Sequence, residues 1–142
     1  MSRLVIGLGF RDQATAQSIS EVLANVVAQA AMPDVATVLA VVEDKAAHPG
    51  LLVAAHAAHL SIKAVAAEAL RAADARVTTR SERVLRQRGV GSVCEAAALT
   101  VAGLDARLVV PRQVSADRNA TAAVALSEDF VLKDFLLKDL AP

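Results

Sequence analysis

The sequence predicts an α/β protein of three layers, α/β/α, with a mixed, largely parallel sheet of about five strands. A continuous apolar run at residues 4–10 ends in glycines and is typical of a central strand buried on both faces. Residues 15–31 repeat apolar side chains at helical spacing, and residues 35–42 form a second apolar run rich in β-branched side chains. This alternation of strand and helix is the order in which parallel sheets are assembled.

Length and composition favour one domain without an extended charged surface. The chain has 142 residues and a formal net charge of zero, with 15 basic and 15 acidic side chains. We place the domain at residues 1–126 and its helical tail at residues 127–142. Charge neutrality and the scarcity of aromatic side chains argue against nucleic acid and membranes as partners. Cys94 is the single cysteine, and the first apolar run is too short to span a membrane, so we expect a cytoplasmic protein.

The later elements are short and are defined by capping and turn residues. Thr79 and Glu82 make a capping box that begins an arginine-bearing helix, and Gly89 ends this helix. The turn-like residues 115–119 separate two apolar runs, which are therefore expected to pair as a hairpin. The other predicted elements are a helix opening at Pro49, a strand at residues 60–65, a helix at residues 67–73, and strands at residues 106–110 and 119–126.

The stretch Gly89-Val90-Gly91-Ser92-Val93-Cys94-Glu95-Ala96-Ala97-Ala98 has the features of a helix start that holds an anion. Its two glycines allow a tight turn, and Ser92 with Glu95 three residues later forms a capping box. The amides of the first helical turn and the positive end of the helix dipole favour a carboxylate or phosphate oxygen. The same spacing also fits a turn between two capped helices that binds nothing.

Cations follow the predicted strands at the edge where open α/β sheets bind ligands. Arg11 comes directly after the first strand, Lys45 follows the second, and Arg112 and Gln113 follow a later one. Arginines are also frequent in residues 71–88, immediately before the glycine turn. These positions predict a local basic patch in a chain that is neutral as a whole.

Three other signals are weak. Residues 7–9 begin like a dinucleotide fingerprint, but Asp12 stands where its third glycine belongs. His56 and His59 share a helical spacing without an accompanying cysteine or acid at ligand spacing, so we expect surface histidines and no metal site. Cys94 lies at a helix start, where thiol pKa values fall, but no histidine is near it in sequence. We expect this cysteine to pack and not to act as a nucleophile.

Taken together, the motifs resemble the C-terminal domain shared by the cobalamin-biosynthesis proteins CobE and CbiG, the latter being the cobalt-precorrin-5A hydrolase. The resemblance implies a layered α/β/α domain that helps to convert precorrins, tetrapyrroles with many acetate and propionate arms, toward cobalamin. It implies no cofactor of the protein itself, since any cobalt belongs to the tetrapyrrole. It covers residues 4–126 and rests on Gly7-Leu8-Gly9-Phe10-Arg11, the Lys45 loop with Pro49-Gly50-Leu51, the run from Gly89 to Ala98, and Pro111-Arg112-Gln113 before Thr121.

Two functions stay open under this resemblance. A binding module would hold a corrin intermediate or pass it to other enzymes of the pathway, and we favour this function. A hydrolase would open a lactone on ring A and release a two-carbon fragment, with Glu43 activating water, but no nucleophile and base with recognisable spacing are present. The expected binding residues are Gly7, Gly9, Arg11, Lys45, Gly89, Gly91, Ser92, Glu95, Arg112 and Gln113.

The tail carries more apolar surface than one helical face accounts for. A solvated terminal helix shows a single apolar stripe, so this segment is expected to pack against a second chain or to fold back on the domain. We predict a homodimer on this basis. The apolar residues concerned are Phe130, Val131, Leu132, Phe135, Leu136, Leu137 and Leu140.

Overall fold

A computed structural model describes residues 2–127 of the chain. Short 3₁₀ turns lie at Glu43–Lys45 and Asp74–Arg76. The strands and helices, in chain order, are β1 (Arg3–Phe10), α1 (Ala16–Ala30), β2 (Ala36–Val42), α2 (Pro49–Ala58), β3 (Ile62–Val65), α3 (Ala67–Ala72), α4 (Glu82–Arg88), α5 (Val93–Ala102), β4 (Arg107–Val114) and β5 (Ala120–Ser127).

The five strands form one sheet in the order β3-β2-β1-β5-β4. Strand β1 is central, as its uninterrupted apolar sequence predicts. It pairs parallel with β2, and β2 pairs parallel with β3. Strand β5 runs antiparallel to both β1 and β4, so the hairpin predicted from the turn at residues 115–119 is present. The predicted α/β class with a mixed sheet of about five strands is therefore confirmed, although the sheet is half parallel and half antiparallel and not largely parallel as expected.

Helices cover both faces of the sheet because β1 alternates its side chains between two apolar clusters. Leu4, Ile6 and Leu8 pack with α1 and α2 on one face. Val5 packs on the other face with α3 and α5. These two clusters lie between the sheet and the helices on each face, which gives the three layers that the sequence predicts.

Gly7 lets α5 lie directly on the backbone of β1. A Cβ atom at this position would stand 1.8 Å from the carbonyl oxygen of Cys94 and 2.7 Å from the amide nitrogen of Ala98. Such a separation is far inside van der Waals contact, so no larger residue fits without a shift of the helix. Gly7 therefore fixes the distance between two layers and is itself buried.

Two caps differ from the prediction. Helix α4 begins at Ser81, whose side chain accepts from the amide of Val84, so the predicted capping box of Thr79 and Glu82 is wrong. At α5, Ser92 accepts from the amide of Glu95 as predicted, but the Glu95 carboxylate does not return to the cap. Thr79 does not cap α4 because both Thr79 and Glu95 belong to another hydrogen-bonded cluster, described below.

Strand β4 continues past the predicted end at Val110 and includes Pro111. Proline cannot donate to a strand ladder and is tolerated on an edge strand or at a bulge. Strand β4 is at the edge of the sheet, and its register shifts between Val110 and Gln113. The irregular pairing therefore accommodates the residue that we expected to end the strand.

The other predicted boundaries agree to within two residues. Thr15 caps α1, Pro49 lies in the first turn of α2, and Gly89 ends α4 in the left-handed region with φ of 73°. Within residues 2–127, every helix is too short or too polar to cross a membrane. Almost all of the predicted tail, residues 128–142, lies outside the described residues, and so does its predicted role in a dimer.

Candidate functional site: a basic cavity at the sheet edge

A cavity of about 530 Å³ opens at the carboxyl ends of β1 and β2, the edge where the cations were predicted. Strand β1 supplies its floor with Leu8 and Gly9, and helix α4 supplies one wall. The turn between β4 and β5 contributes Arg118 and Asn119 to the lining. Helix, sheet and hairpin therefore meet around one open space.

The lining is strongly positive although the chain is neutral. Among residues 2–127, Asp12 is the one acidic side chain that lines the cavity. Within residues 2–127, no hydrogen bond or ion pair engages the guanidinium groups of Arg11, Arg83, Arg112 and Arg118. The low-dielectric walls of a cleft focus such a field on a ligand. The six basic residues of the lining are Arg11, Lys45, Arg83, Arg88, Arg112 and Arg118.

Lys45 is held at the rim by an aromatic ring and an exposed acid. Its ammonium group lies 5.7 Å from the centre of the Phe10 ring and forms an ion pair with Asp12. The Lys45 side chain is only 16% exposed, whereas the Asp12 side chain is 92% exposed. The hydrogen bond and charge of Lys45 lower the pKa of Asp12. Lys45 is thus fixed in place, while its present anionic partner faces water.

His48 stabilises the loop that carries Lys45. Its Nδ1 atom accepts from the amides of Gly50 and Leu51 and caps α2, and its Nε2 atom lies 2.8 Å from the carbonyl oxygen of Asp12. The His48 ring also contacts Phe10 edge to face, with 4.9 Å between ring centres. The position of the Lys45 loop therefore depends on a histidine that the sequence analysis did not single out.

Glu95 is completely buried and gathers three chain segments behind the cavity. Its carboxylate accepts from the backbone amides of Thr78 at 2.7 Å, Thr79 at 2.9 Å and Arg112 at 2.9 Å. It also accepts from both threonine hydroxyls, at 2.7 Å for Thr79 and 3.2 Å for Thr78. Burial alone raises the pKa of Glu95, but the hydrogen bonds from Arg112, Thr79 and Thr78 outweigh burial, and the pKa is lowered.

The glycine turn before α5 is already bonded to a carboxylate of the chain itself. The amide of Gly91 donates to Asp74 at 2.8 Å, and Asp74 also pairs with Arg80 at 3.0 Å. These two contacts, the amide first, lower the pKa of Asp74. Gly91 does not have a positive φ, unlike Gly89. Because Asp74 occupies the Gly91 amide, that donor is not available to a ligand.

Asp117 fixes the turn that carries Arg118. Its carboxylate accepts from the hydroxyl of Ser115 at 2.6 Å, from the hydroxyl of Ser18 in α1 and from the amide of Asn119 at 3.0 Å. These bonds, led by that of Ser115, lower the pKa of Asp117 to about 2. Arg118 then adopts a left-handed conformation with φ of 64° and reaches the cavity lining.

Cys94 and the predicted histidine pair do not line the cavity. Cys94 is fully buried, and burial raises the pKa of its thiol to about 11, which favours the packing role expected of it. His56 is exposed on α2, and His59 caps the end of that helix. In the described part of the chain, no three histidine, cysteine or acidic side chains are grouped closely enough to hold a metal ion.

Comparison of the sequence with known protein families supports the resemblance found in its motifs. The family model described as cobalamin synthesis G C-terminus matches residues 4–125. The chain belongs to this family. Among curated relatives, it is 34% identical over 125 residues to protein CobE of a Sinorhizobium species, covering 86% of this chain and 79% of that protein. The family assignment made from the glycine and arginine motifs is thereby confirmed.

Solved structures of the family share the architecture. The crystal structure of CobE, a protein from the cobalamin (vitamin B12) biosynthetic pathway, superposes with a TM-score of 0.75 at 26% identity, covering 88% of this chain and 90% of that one. The cobalamin biosynthesis protein chiG of Agrobacterium tumefaciens gives a TM-score of 0.63 at 38% identity, covering 86% and 96%. A cobalamin biosynthesis protein G homologue of Sulfolobus solfataricus, at 19% identity and a TM-score of 0.63, covers 89% of this chain and 37% of that one and shows the fold alone.

Within this family member, the predicted binding residues divide into two groups. Gly9, Arg11, Lys45 and Arg112 line the cavity together. The others lie outside the lining: Gly7 under α5, Gly89 at the end of α4, Gly91, Ser92 and Glu95 at the start of α5, and Gln113, whose side chain donates to the carbonyl of Pro111 at 3.1 Å.

Several residues of the cavity lining could not be singled out from the sequence. Arg83 and Arg88 were part of the predicted basic stretch, but nothing in the sequence separated them from their neighbours. In that same stretch, Arg76 donates to the carbonyl of Gly103 at 2.9 Å. It therefore binds the end of α5 and does not line the cavity. No sequence pattern indicated that Arg118 would line the cavity, because the fold of the hairpin turn is what brings it there.

Proposed function

We propose that the cavity binds a precorrin or corrin intermediate of cobalamin biosynthesis through the intermediate's peripheral carboxylates. The observation that carries this proposal is that, among the described residues, six basic side chains and one acidic side chain line a single space of about 530 Å³. A cavity of this size lies in the usual range for small-molecule and cofactor sites. The family to which the chain belongs takes its description from cobalamin synthesis, which supplies the ligand class.

The arrangement suits a ligand with several separated carboxylates. Arg11 follows β1, and Arg112 lies within β4. Arg83 lies on α4, and Arg118 lies in the hairpin turn. Guanidinium groups pair with carboxylates in two-pronged geometry and remain charged at all physiological pH values. Because these groups surround the cavity from different elements, each is suited to a different arm of one ring.

Lys45 offers a further position for a ligand carboxylate. The carboxylate now on its ammonium group belongs to Asp12, which is exposed and whose ion pair with Lys45 contributes little to stability in water. A ligand arm placed on Lys45 would replace that ion pair at low cost. Asp12 would then compete with the ligand, and its removal should strengthen binding.

The hydrolytic alternative has less support from the cavity. Glu43, the expected water-activating residue, is exposed on the 3₁₀ turn after β2 and does not line the cavity. Asp12 does line it but is ion-paired with Lys45. We therefore favour a binding or carrier module that acts in the cytoplasm with other enzymes of the pathway, with any cobalt held by its ligand.

A visible-absorbance or calorimetric titration with a cobalt-free corrinoid tests the proposal. We expect Arg112→Ala to weaken binding about tenfold, since one charge-assisted hydrogen bond is lost. Asp12→Asn should tighten binding because it removes the competing carboxylate. Affinity should also fall as salt is raised from about 0.05 to 0.5 M, since exposed charges are then screened.

Arg86→Ala is the matched control, because Arg86 lies on the arginine-bearing helix α4 but outside the cavity lining. It removes the same charge from the whole protein and should leave the affinity unchanged. Equal affinities for wild type, Arg112→Ala and Asp12→Asn at both salt concentrations would refute electrostatic binding in this cavity. Release of a two-carbon product from a precorrin lactone by the purified protein would instead establish the hydrolase.

A further inference from the structure

A second concave surface lies at the opposite end of the sheet and is apolar. It is a groove of about 490 Å³ between α1, α2 and the sheet, and its floor is formed by Leu4, Ile6 and Val124. Ala24 and Val27 of α1 form one wall, while small residues of α2 form the other. In the described part of the chain, no charged side chain lines the groove, so its chemistry is the reverse of that of the basic cavity.

This groove leaves apolar surface uncovered within the described residues. Val27, on the α1 wall, is 50% exposed. Exposed apolar side chains that stand alone are common, but a concave apolar surface with a hydrophobic floor is typical of a docking site. The shape and composition call for an apolar segment with large side chains.

The course of the chain identifies that segment. Strand β5 ends at Ser127, which pairs with Arg3, and the preceding pair joins Leu126 to Leu4 of the groove floor. Leu126 also faces the α1 and α2 layer, because it belongs to the same apolar cluster as Leu4. The described chain therefore ends one residue pair from the groove floor, in a strand whose Leu126 faces the same layer as the groove.

The sequence after this point has the composition that the groove requires. Residues 128–142 include two of the three phenylalanines of the chain together with several leucines. A segment tethered next to its site has an effective concentration in the millimolar range, far above that of a second copy in solution. We propose that residues 128–142 dock in the apolar groove of their own chain and cover its α1 wall.

Hydrogen exchange of the full chain, followed by mass spectrometry, tests this proposal. We expect amides within residues 128–142 to be protected from exchange in the wild type. Ala24→Asp places a charge on the groove wall at an exposed helix position, so it should raise exchange in residues 128–142 at least tenfold. Ala28→Asp is the matched control, since Ala28 is exposed on the same helix, one turn later, and does not line the groove.

The outcomes separate the own-chain docking from its alternatives. Exchange within β1 and α5 reports whether each variant is folded, so a failure to fold is recognised directly. Absence of protection in the wild type, or equal effects of Ala24→Asp and Ala28→Asp, would overturn the proposal. Protection that disappears when the protein is diluted would assign the groove to the tail of a second copy, and it would overturn docking within one chain.

Discussion

Replacement of Glu95 by glutamine should destabilise the protein more strongly than any other loss of a single carboxylate in the described chain. The buried Glu95 side chain accepts from the backbone amides of Thr78, Thr79 and Arg112 and from two hydroxyls. Glutamine retains one acceptor oxygen and turns an NH₂ group toward these donors. At about 1–3 kcal/mol for each buried donor left without a partner, the free energy of unfolding should fall by about 2–4 kcal/mol.

Urea denaturation of the two proteins measures this difference, and Glu68→Gln is its control. Glu68 is an exposed acid in the first turn of α3, so the control makes the same charge change at a helix start. Its effect should remain within about 0.5 kcal/mol, as for most surface substitutions. A loss below about 1 kcal/mol for Glu95→Gln would refute the assigned role of Glu95 as the joining group of three segments.

The pH dependence gives a second test of Glu95. Its folded-state pKa is lowered, so the carboxylate stabilises the fold fully above the ordinary glutamate pKa. This stabilisation is lost as the pH falls through the lowered, folded-state pKa. The stability difference between wild type and Glu95→Gln should therefore shrink on acidification, and a difference that grew at low pH would contradict the direction of the shift.

Three further predictions concern other parts of the chain. Gly7→Ala should lower the free energy of unfolding in urea by about 3 kcal/mol, because its Cβ would overlap the carbonyl of Cys94. Asp117→Asn should reduce stability at neutral pH, and chemical denaturation should show the difference from wild type disappearing between pH 3.8 and about 2, where wild-type Asp117 gains its proton. Docking of residues 128–142 within their own chain removes the basis of the predicted homodimer, so light scattering should give the monomer mass of 14.7 kDa, whereas twice that mass would support the homodimer and contradict own-chain docking.

The sheet and its layers could be predicted because each rests on local periodicity. The uninterrupted apolar run of β1 indicates a strand with both faces covered, and the helical repeat of α1 indicates one buried stripe. Helix ends were predictable where a single residue decides them, as at Thr15, Pro49 and Gly89. The predicted β4 ended too early because a strand tolerates Pro111 only at the edge of the sheet, and the sequence does not show which strand lies at the edge.

The site was predictable where it depends on strand ends and not where it depends on tertiary contacts. Arg11 and Lys45 follow neighbouring parallel strands, whose carboxyl ends must meet at one edge. The capping-box pattern at Ser92 and Glu95 did not show that the Glu95 carboxylate accepts from donors elsewhere in the fold. Nothing within a few residues of Asp74 or Glu95 shows that their partners lie 17 positions away.

Three residues of the run from Gly89 to Ala98 make hydrogen bonds within the chain. Its Gly91 amide holds Asp74, its Ser92 caps the helix, and its Glu95 holds the backbone of Arg112. Each of these contacts positions an element that borders the cavity. Substitutions in the run should therefore lower stability and ligand affinity together, whereas substitutions of the lining cation Arg11 should change affinity alone. Measuring both quantities on the same variants separates residues that build the cavity from residues that bind within it.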